Sequence, residues 1–150
     1  KVSFDKMDFN SVEQAYMASK TIDLEVRKSI AEMSPREAKK FSRTADFPLR
    51  EDFNEAFKLG IMKLLVEEKF SNKNPQLRQK LLSTDNASLV EGNYWDDDYW
   101  GFDLKAGMGQ NNLGKILMYV RDELRIAKGS EPVAEKSSIW VKNNIKTLSL

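Results

Sequence analysis

Two stretches of this chain could carry chemistry. In SVEQAYMASK, Glu13 and Lys20 stand seven residues apart, close to two helical turns. One helical face would then hold a carboxylate and an amine, with about 10 Å of rise between their Cα atoms, the scale of a ribose unit. A solvated polar face would use the same residues, and the spacing leaves both readings open. The second stretch, YWDDDYWGFDLKAGMGQNNLG, runs from Tyr94 to Gly114. It sets three consecutive carboxylates, Asp96 to Asp98, between two Tyr/Trp pairs and then turns glycine-rich. Carboxylate for charge, Trp for a planar ring and glycine for close backbone approach would suit a pocket for a planar, polar ligand. Trp95 and Trp100 as core residues, with one Asp turned inward, is the structural alternative.

The composition narrows the chemistry. The chain has 150 residues, 41% apolar and 31% charged, with a net charge of +1. That is an ordinary globular balance, and it gives no bulk electrostatic case for nucleic acid or an anionic membrane. There is no cysteine and no histidine. Thiolate zinc sites, Cys nucleophiles, Ser-His-Asp chemistry and His-ligated metals are excluded, so proton transfer falls to carboxylates, Lys or Tyr. Asp96 to Asp98 lack the spaced oxygen ligands and closing Glu of an EF-hand, and no metal is expected. GMGQNNLG matches neither the Walker pattern nor the dinucleotide fingerprint. A Gly-rich segment feeding a helix near Asn111 can still offer backbone N–H groups to an anion. Arg43 and Lys69 read as surface cations. The apolar run Ile61 to Val66 is short and interrupted by Lys63, so no membrane span is expected. The expectation is a cytoplasmic protein without a cofactor.

The elements that must position these residues are helical. Lys1 to Asn10 alternates loosely and predicts one or two short strands. Ser11 followed by Gln14 is a capping-box pair, so a helix should start at Ser11. Val12, Ala15, Tyr16 and Ser19 would share one face, and Glu13, Met17 and Lys20 another. A second helix is expected over Ile22 to Met33, and a third from the Ser34 cap with Pro35 in its first turn. Arg50 to Phe70 is the longest candidate, with Phe53, Phe57, Ile61, Leu64 and Leu65 at helical spacing. Pro75 opens another, with Leu77, Leu81 and Leu82 inward. ASLVEG reads as a short buried strand. Leu113, Ile116, Leu117, Val120 and Leu124 form an amphipathic stripe ended by Gly129 and Pro132. The fold class is mainly α, α+β at most: a compact multihelical domain with a few short strands. Residues 1–128 form that domain, and 129–150 an extension expected to be helical.

At this point the motifs add up. SVEQAYMASK, SPREAKKFSR, NPQLRQKLLST, LVEGN, DDYWG and GQNNLGKILMYVRDEL follow one another in the order and spacing of the NADAR family, over about Phe9 to Leu124. The chain resembles that family, whose members are associated with cleaving N-glycosidic bonds. Their substrates resemble ADP-ribose adducts, among them ADP-ribosyl-guanine in nucleic acid, or the ribosylaminopyrimidine phosphates of riboflavin synthesis. By this resemblance Glu13 and Lys20 match the helix bearing the family's catalytic groups. Arg43 matches the Arg after the Ser-Pro helix, and Glu91 the Glu of the Leu-Val-Glu strand. Asp97, Trp100 and Gly101 match Asp-x-x-Trp-Gly, and Asn111 matches the start of the last helix. Ser42 stands where the family usually has Gly. The Phe-x-Asn-Phe-like stretch that precedes the first helix in the family is expected to be missing, because Lys1 begins after it.

The resemblance implies a mechanism the residues can carry. Lys20, with its pKa lowered by burial, would attack a ring-opened sugar and hold it as a Schiff base. Glu13 or Asp97 would be the acid/base, Trp100 would stack on a base or sugar, and Arg43 and the N–H groups near Asn111 would face phosphates. Glu91 and Gly101 complete the expected substrate-binding set. The expected partner is a small nucleotide-like or ADP-ribosylated substrate, with nucleic acid only as a modified substrate. The rival readings are a binding module for ADP-ribose or a nucleotide without turnover, and a structural interaction protein.

Overall fold

Asp5 and Lys6 both have positive φ, 48° and 63°. Two left-handed residues in succession form the hairpin turn whose twist suits antiparallel strands. They join β1 (Val2–Phe4) to β2 (Met7–Phe9), with Phe4 opposite Met7. The computed structural model describes residues 1–129 and 139–141. Its backbone contacts cluster into two compact units, residues 1–69 and the residues from Phe70 onward.

In the first unit the hairpin is followed by α1 (Val12–Ser19), α2 (Leu24–Glu32), α3 (Pro35–Phe41) and α4 (Glu55–Lys69). Helix α1 is the central element and packs on both strands and on α2, α3 and α4. Val12, Ala15, Tyr16, Met17, Ala18 and Ser19 are all buried. The two-faced helix expected from the sequence is therefore corrected: Met17 is core, and Glu13 and Lys20 are the half-exposed positions. The Ser11 hydroxyl accepts the Gln14 N–H at 3.1 Å and caps the helix. The buried Gln14 amide does not return to the Ser11 backbone. It reaches across to the Met33 carbonyl at 2.5 Å, closing the end of α2.

Other boundaries moved for local reasons. Asp23 accepts the N–H groups of Glu25 and Val26 and starts α2 at Leu24, not Ile22. Leu24 is exposed, and Ile30 fills the core. Ser34 and Glu37 form the reciprocal box that starts α3. Arg50 is tied to Asp52 through two nitrogens, and Asn54 accepts the Phe57 N–H, so α4 begins at Glu55 rather than Arg50. Ile61, Met62, Leu65 and Val66 face the core, while Leu64 is exposed.

The second unit contains α5 (Pro75–Leu82), β3 (Ser88–Val90), β4 (Gly92–Asn93), β5 (Phe102–Asp103), α6 (Asn112–Ala127) and β6 (Ile139–Val141). Strands β4 and β5 pair in parallel, as do β3 and β6. The strand at Ile139–Val141 replaces helix at that point of the expected extension, and the rest of the tail lies outside the described residues. Helix α6 packs on β3 and α5 through Leu113, Leu117 and Val120. Its buried Arg121 donates to Thr84 and to the Ala87 carbonyl. Arg125 donates to Asn86 and to the Asp85 carbonyl. Two arginines from one helix thus satisfy the turn between α5 and β3, as buried polar groups require. The fold is mainly helical with short two-stranded pairings.

Candidate active site

Lys20 is the C-cap of α1, where its backbone N–H bonds back to the helix. Its carbonyl accepts the Arg50 N–H at 2.8 Å, which ties the end of α1 to the loop before α4. The half-buried side chain passes between aromatic rings. Its Nζ is 5.6 Å from the centre of Tyr16 and 5.7 Å from that of Phe53. Tyr16 lies one turn earlier on the same helix, so the pair is within the reach that helical neighbours have. The Lys20 amine donates to Ser42 Oγ at 3.3 Å.

Burial lowers the Lys20 pKa from 10.5 to about 8, assisted by the positive charges of Arg43, Lys58 and Lys39. Both effects penalise the ammonium form. Lys58 Nζ lies 5.5 Å from the centre of the same Phe53 ring, so two amines lie against one aromatic ring. Arg43 is exposed in the turn after α3. Glu13 does not neutralise Lys20; its carboxylate lies 4.0 Å from Lys39. The result is an electropositive, aromatic-lined amine, about a tenth of it neutral at pH 7. Tyr16, Ser42, Phe53, Lys58 and Lys39 are not among the site residues expected from the sequence. Only the spacing of Tyr16 to Lys20 gave a local signal; the others come from α3, α4 and the loop before it, and needed packing.

Lys69 is a second correction. The sequence predicts a surface cation, yet it is 7% exposed at the end of α4. Burial lowers its pKa to about 8.

In the second unit the irregular loop is organised by Asn93, which is 1% exposed. Its Oδ1 accepts the N–H groups of Trp95 and Asp97, and its Nδ2 donates to the carbonyls of Asp97 and Phe102. One side chain thereby folds the turn, a role Asn fills because it both donates and accepts. Nothing in the spacing around Asn93 marks this role in the sequence. Asp97 is half-buried and its Oδ1 accepts the Trp100 N–H at 2.9 Å, while Asp96 and Asp98 are exposed. Trp100 is half-buried and meets Tyr99 edge-on, with ring centres 4.9 Å apart. Gly101 is buried; a Cβ there would collide with the Glu91 carbonyl and sit 2.6 Å from Asn93 Nδ2. Glu91 itself is 9% exposed, and its N–H donates to Asn111 Oδ1 at 2.9 Å.

Asn111 also donates through Nδ2 to the Leu89 carbonyl at 2.9 Å. Its left-handed backbone, φ 52°, suits Asn. The expected anion site at this helix start is overturned. The N–H groups of Asn111, Asn112 and Leu113 already donate to the carbonyls of Gly101, Tyr99 and Trp100. Paired donors have nothing left for a phosphate, and Asn111 serves as the stitch between β3 and α6. Among the described residues no cluster of carboxylates could hold a metal ion, and no helix is long and apolar enough to cross a membrane.

Comparison with known proteins shows the family. Residues 1–125 match the NADAR domain. The chain is 34% identical over 128 residues to the N-glycosidase YbiA of Escherichia coli (strain K12), covering 85% of this chain and 78% of that protein. It is 34% identical over 116 residues to the riboflavin biosynthesis protein VVA0006 of Vibrio vulnificus, covering 77% of this chain but 30% of that longer protein. Its fold is similar to the NMR structure of the E. coli protein YbiA, with a TM-score of 0.75 at 32% identity, covering 88% of this chain and 77% of that one.

Proposed function

The chain belongs to the NADAR domain family, and from that premise we propose that it is a hydrolase of N-glycosidic bonds, acting on a ribosylated, phosphate-bearing, nucleotide-like substrate. The observation that carries this reading is Lys20: an amine lowered to about 8, flanked by Tyr16 and Phe53 and surrounded by Arg43, Lys58 and Lys39. An uncharged amine is a nucleophile, and a ring of cations favours a substrate carrying phosphate.

In the proposed reaction the sugar ring opens as the C1–O4 bond breaks, the ring oxygen taking a proton and C1 becoming doubly bonded to the base nitrogen, and the Lys20 lone pair then attacks C1. The bond from C1 to the base breaks as the leaving nitrogen takes a proton from a carboxylic acid, Glu13 or Asp97. Lys20 stays joined to C1 as a protonated imine. Water adds to C1, the C1–Nζ bond breaks, and the free sugar leaves with the amine regenerated. Arg43 faces phosphate, and Trp100 stacks on the base or sugar. Glu91, Gly101 and Asn111 hold the loop and helix start that present it. The riboflavin-named relative supports a ribosylaminopyrimidine phosphate as substrate; an ADP-ribose adduct such as ADP-ribosyl-guanine offers the same bond and the same charge.

The test is reductive trapping. Incubation with either substrate and borohydride should fix the sugar on Lys20 as a permanent mass increase, absent in Lys20→Ala. Turnover without a trapped adduct would sink the Schiff base and leave direct attack by water. Ligand-induced thermal stabilisation without turnover of either substrate would favour a binding module instead.

A further inference from the structure

Ser42 ends α3 as its C-cap, and its hydroxyl lies in contact with three groups. Lys20 Nζ donates to it at 3.3 Å. Met17 Sδ is 3.0 Å away and the Lys39 carbonyl 3.1 Å away. A hydroxyl has one proton to give and two lone pairs to receive with. The Lys39 carbonyl is the stronger of its two acceptors, since a thioether accepts weakly. With the proton directed there, the oxygen faces Lys20 only as an acceptor.

That direction matters for an amine that has to attack. A neutral amine has two N–H bonds and one lone pair. A neighbour that donated to the lone pair would block it, whereas a neighbour that accepts an N–H fixes the nitrogen and leaves the lone pair open. We propose that Ser42 is a positioning residue for Lys20, holding one amine N–H so that the lone pair points away from α3 toward the substrate carbon. This rests on the reading of Lys20 as nucleophile. The rings of Tyr16 and Phe53 confine the side chain but do not orient its lone pair; Ser42 supplies the direction.

The charges around Lys20 are Glu13 on its own helix, opposite Lys39; Lys39 and Arg43 on α3 and its following turn; Lys58 on α4; and Arg50, paired with Asp52, on the loop before α4. All remain in a Ser42 variant, so a change in Lys20 titration reports the hydroxyl. An acceptor favours the ammonium, so its loss should lower the Lys20 pKa further.

The experiment compares Ser42→Ala and Ser42→Thr. Steady-state kinetics is run on a ribosylaminopyrimidine phosphate, and Lys20 is titrated by NMR with labelled lysine in the protein without substrate. Ser42→Ala should lower kcat on the order of ten-fold or more, as misdirection of a reacting group does, with KM little changed. Its Lys20 midpoint should move to lower pH. Ser42→Thr keeps a hydroxyl and should restore both. An unmoved midpoint, or a kcat equal to that of the unaltered protein in Ser42→Ala, would overturn the proposal. The titration needs no turnover. A shifted midpoint with no borohydride adduct on the unaltered protein would show that the nucleophile reading had failed while the contact stood.

Discussion

The Asp97 carboxylate accepts the Trp100 N–H at 2.9 Å, so the acid of the DDYWG loop also sets the turn that presents its Trp. One residue can hold shape through one oxygen and offer chemistry through the other, and substitutions separate the two. Asparagine keeps an acceptor oxygen and loses the acid. Asp97→Asn should fold with a melting temperature near that of the unaltered protein and lose most turnover. Asp96→Asn and Asp98→Asn should be mild, because both side chains are exposed and Asn tolerates the positive φ of 62° at Asp96. Equal activity in all three variants would reduce Asp97 to a turn-former.

Trp100→Ala should weaken binding of ADP-ribose by about 1–3 kcal/mol, the range for base stacking on an aromatic side chain. Calorimetric titration measures it. The ring is half-buried against Tyr99, so the fold should survive. A collapse of the melting temperature with affinity intact would make Trp100 a core residue.

Gly101→Ala should destabilise the second unit by about 1–3 kcal/mol, the usual cost of forcing an atom into packed structure. The Glu91 carbonyl that a Cβ would strike is held by the Phe102 N–H at 2.8 Å and cannot retreat without opening the β4–β5 pairing. Gly60→Ala is the control. It sits in the exposed side of α4 with nothing within 4 Å of a new Cβ. It should stabilise by about 0.5–1 kcal/mol through helix propensity. Chemical denaturation of both variants decides the matter, and a neutral Gly101→Ala would contradict the close approach.

Arg43→Ala should raise the Lys20 pKa from about 8 towards 10.5, because it removes a positive charge that disfavours the ammonium. The acid limb of the rate profile then moves to higher pH. The kcat should fall most near pH 7 and recover as the medium becomes alkaline, while loss of the phosphate contact raises KM at every pH. The direct readout is the Lys20 titration midpoint; a midpoint that stayed put would remove Arg43 from the electrostatics of the amine.

Lys69 gives a pH dependence of stability. Its folded pKa of about 8 lies below the ordinary 10.5. Between those values the unfolded chain holds a proton that the folded chain has released, so stability rises with pH across that window. Below about pH 8 the cost of burying the ammonium is present in full. Lys20 adds in the same direction. The urea midpoint should increase from pH 8 to about pH 10, and Lys69→Met should flatten the increase. A midpoint that fell across this range would contradict the burial.

What the sequence determined by itself is local. Ser34–Glu37, Pro35, Pro75 and the Leu113–Val120 stripe mark helices because their interactions close within three or four residues. The order of motifs also identified the family and put Glu13, Lys20, Asp97 and Trp100 forward as candidates. Tertiary structure decided everything that depends on a distant partner. Gln14 reaches the Met33 carbonyl instead of completing its own cap. Asn93, and not the glycines or the acids, folds the loop. The N–H groups of Asn111, Asn112 and Leu113 at the glycine-rich helix start are spent on carbonyls of the preceding loop. Lys20 has its low pKa because packing removes water from it, and because α3 and α4 bring Arg43, Lys58 and Lys39 around it. No spacing within α1 encodes that, since desolvation and charge proximity exist only after the helices have packed.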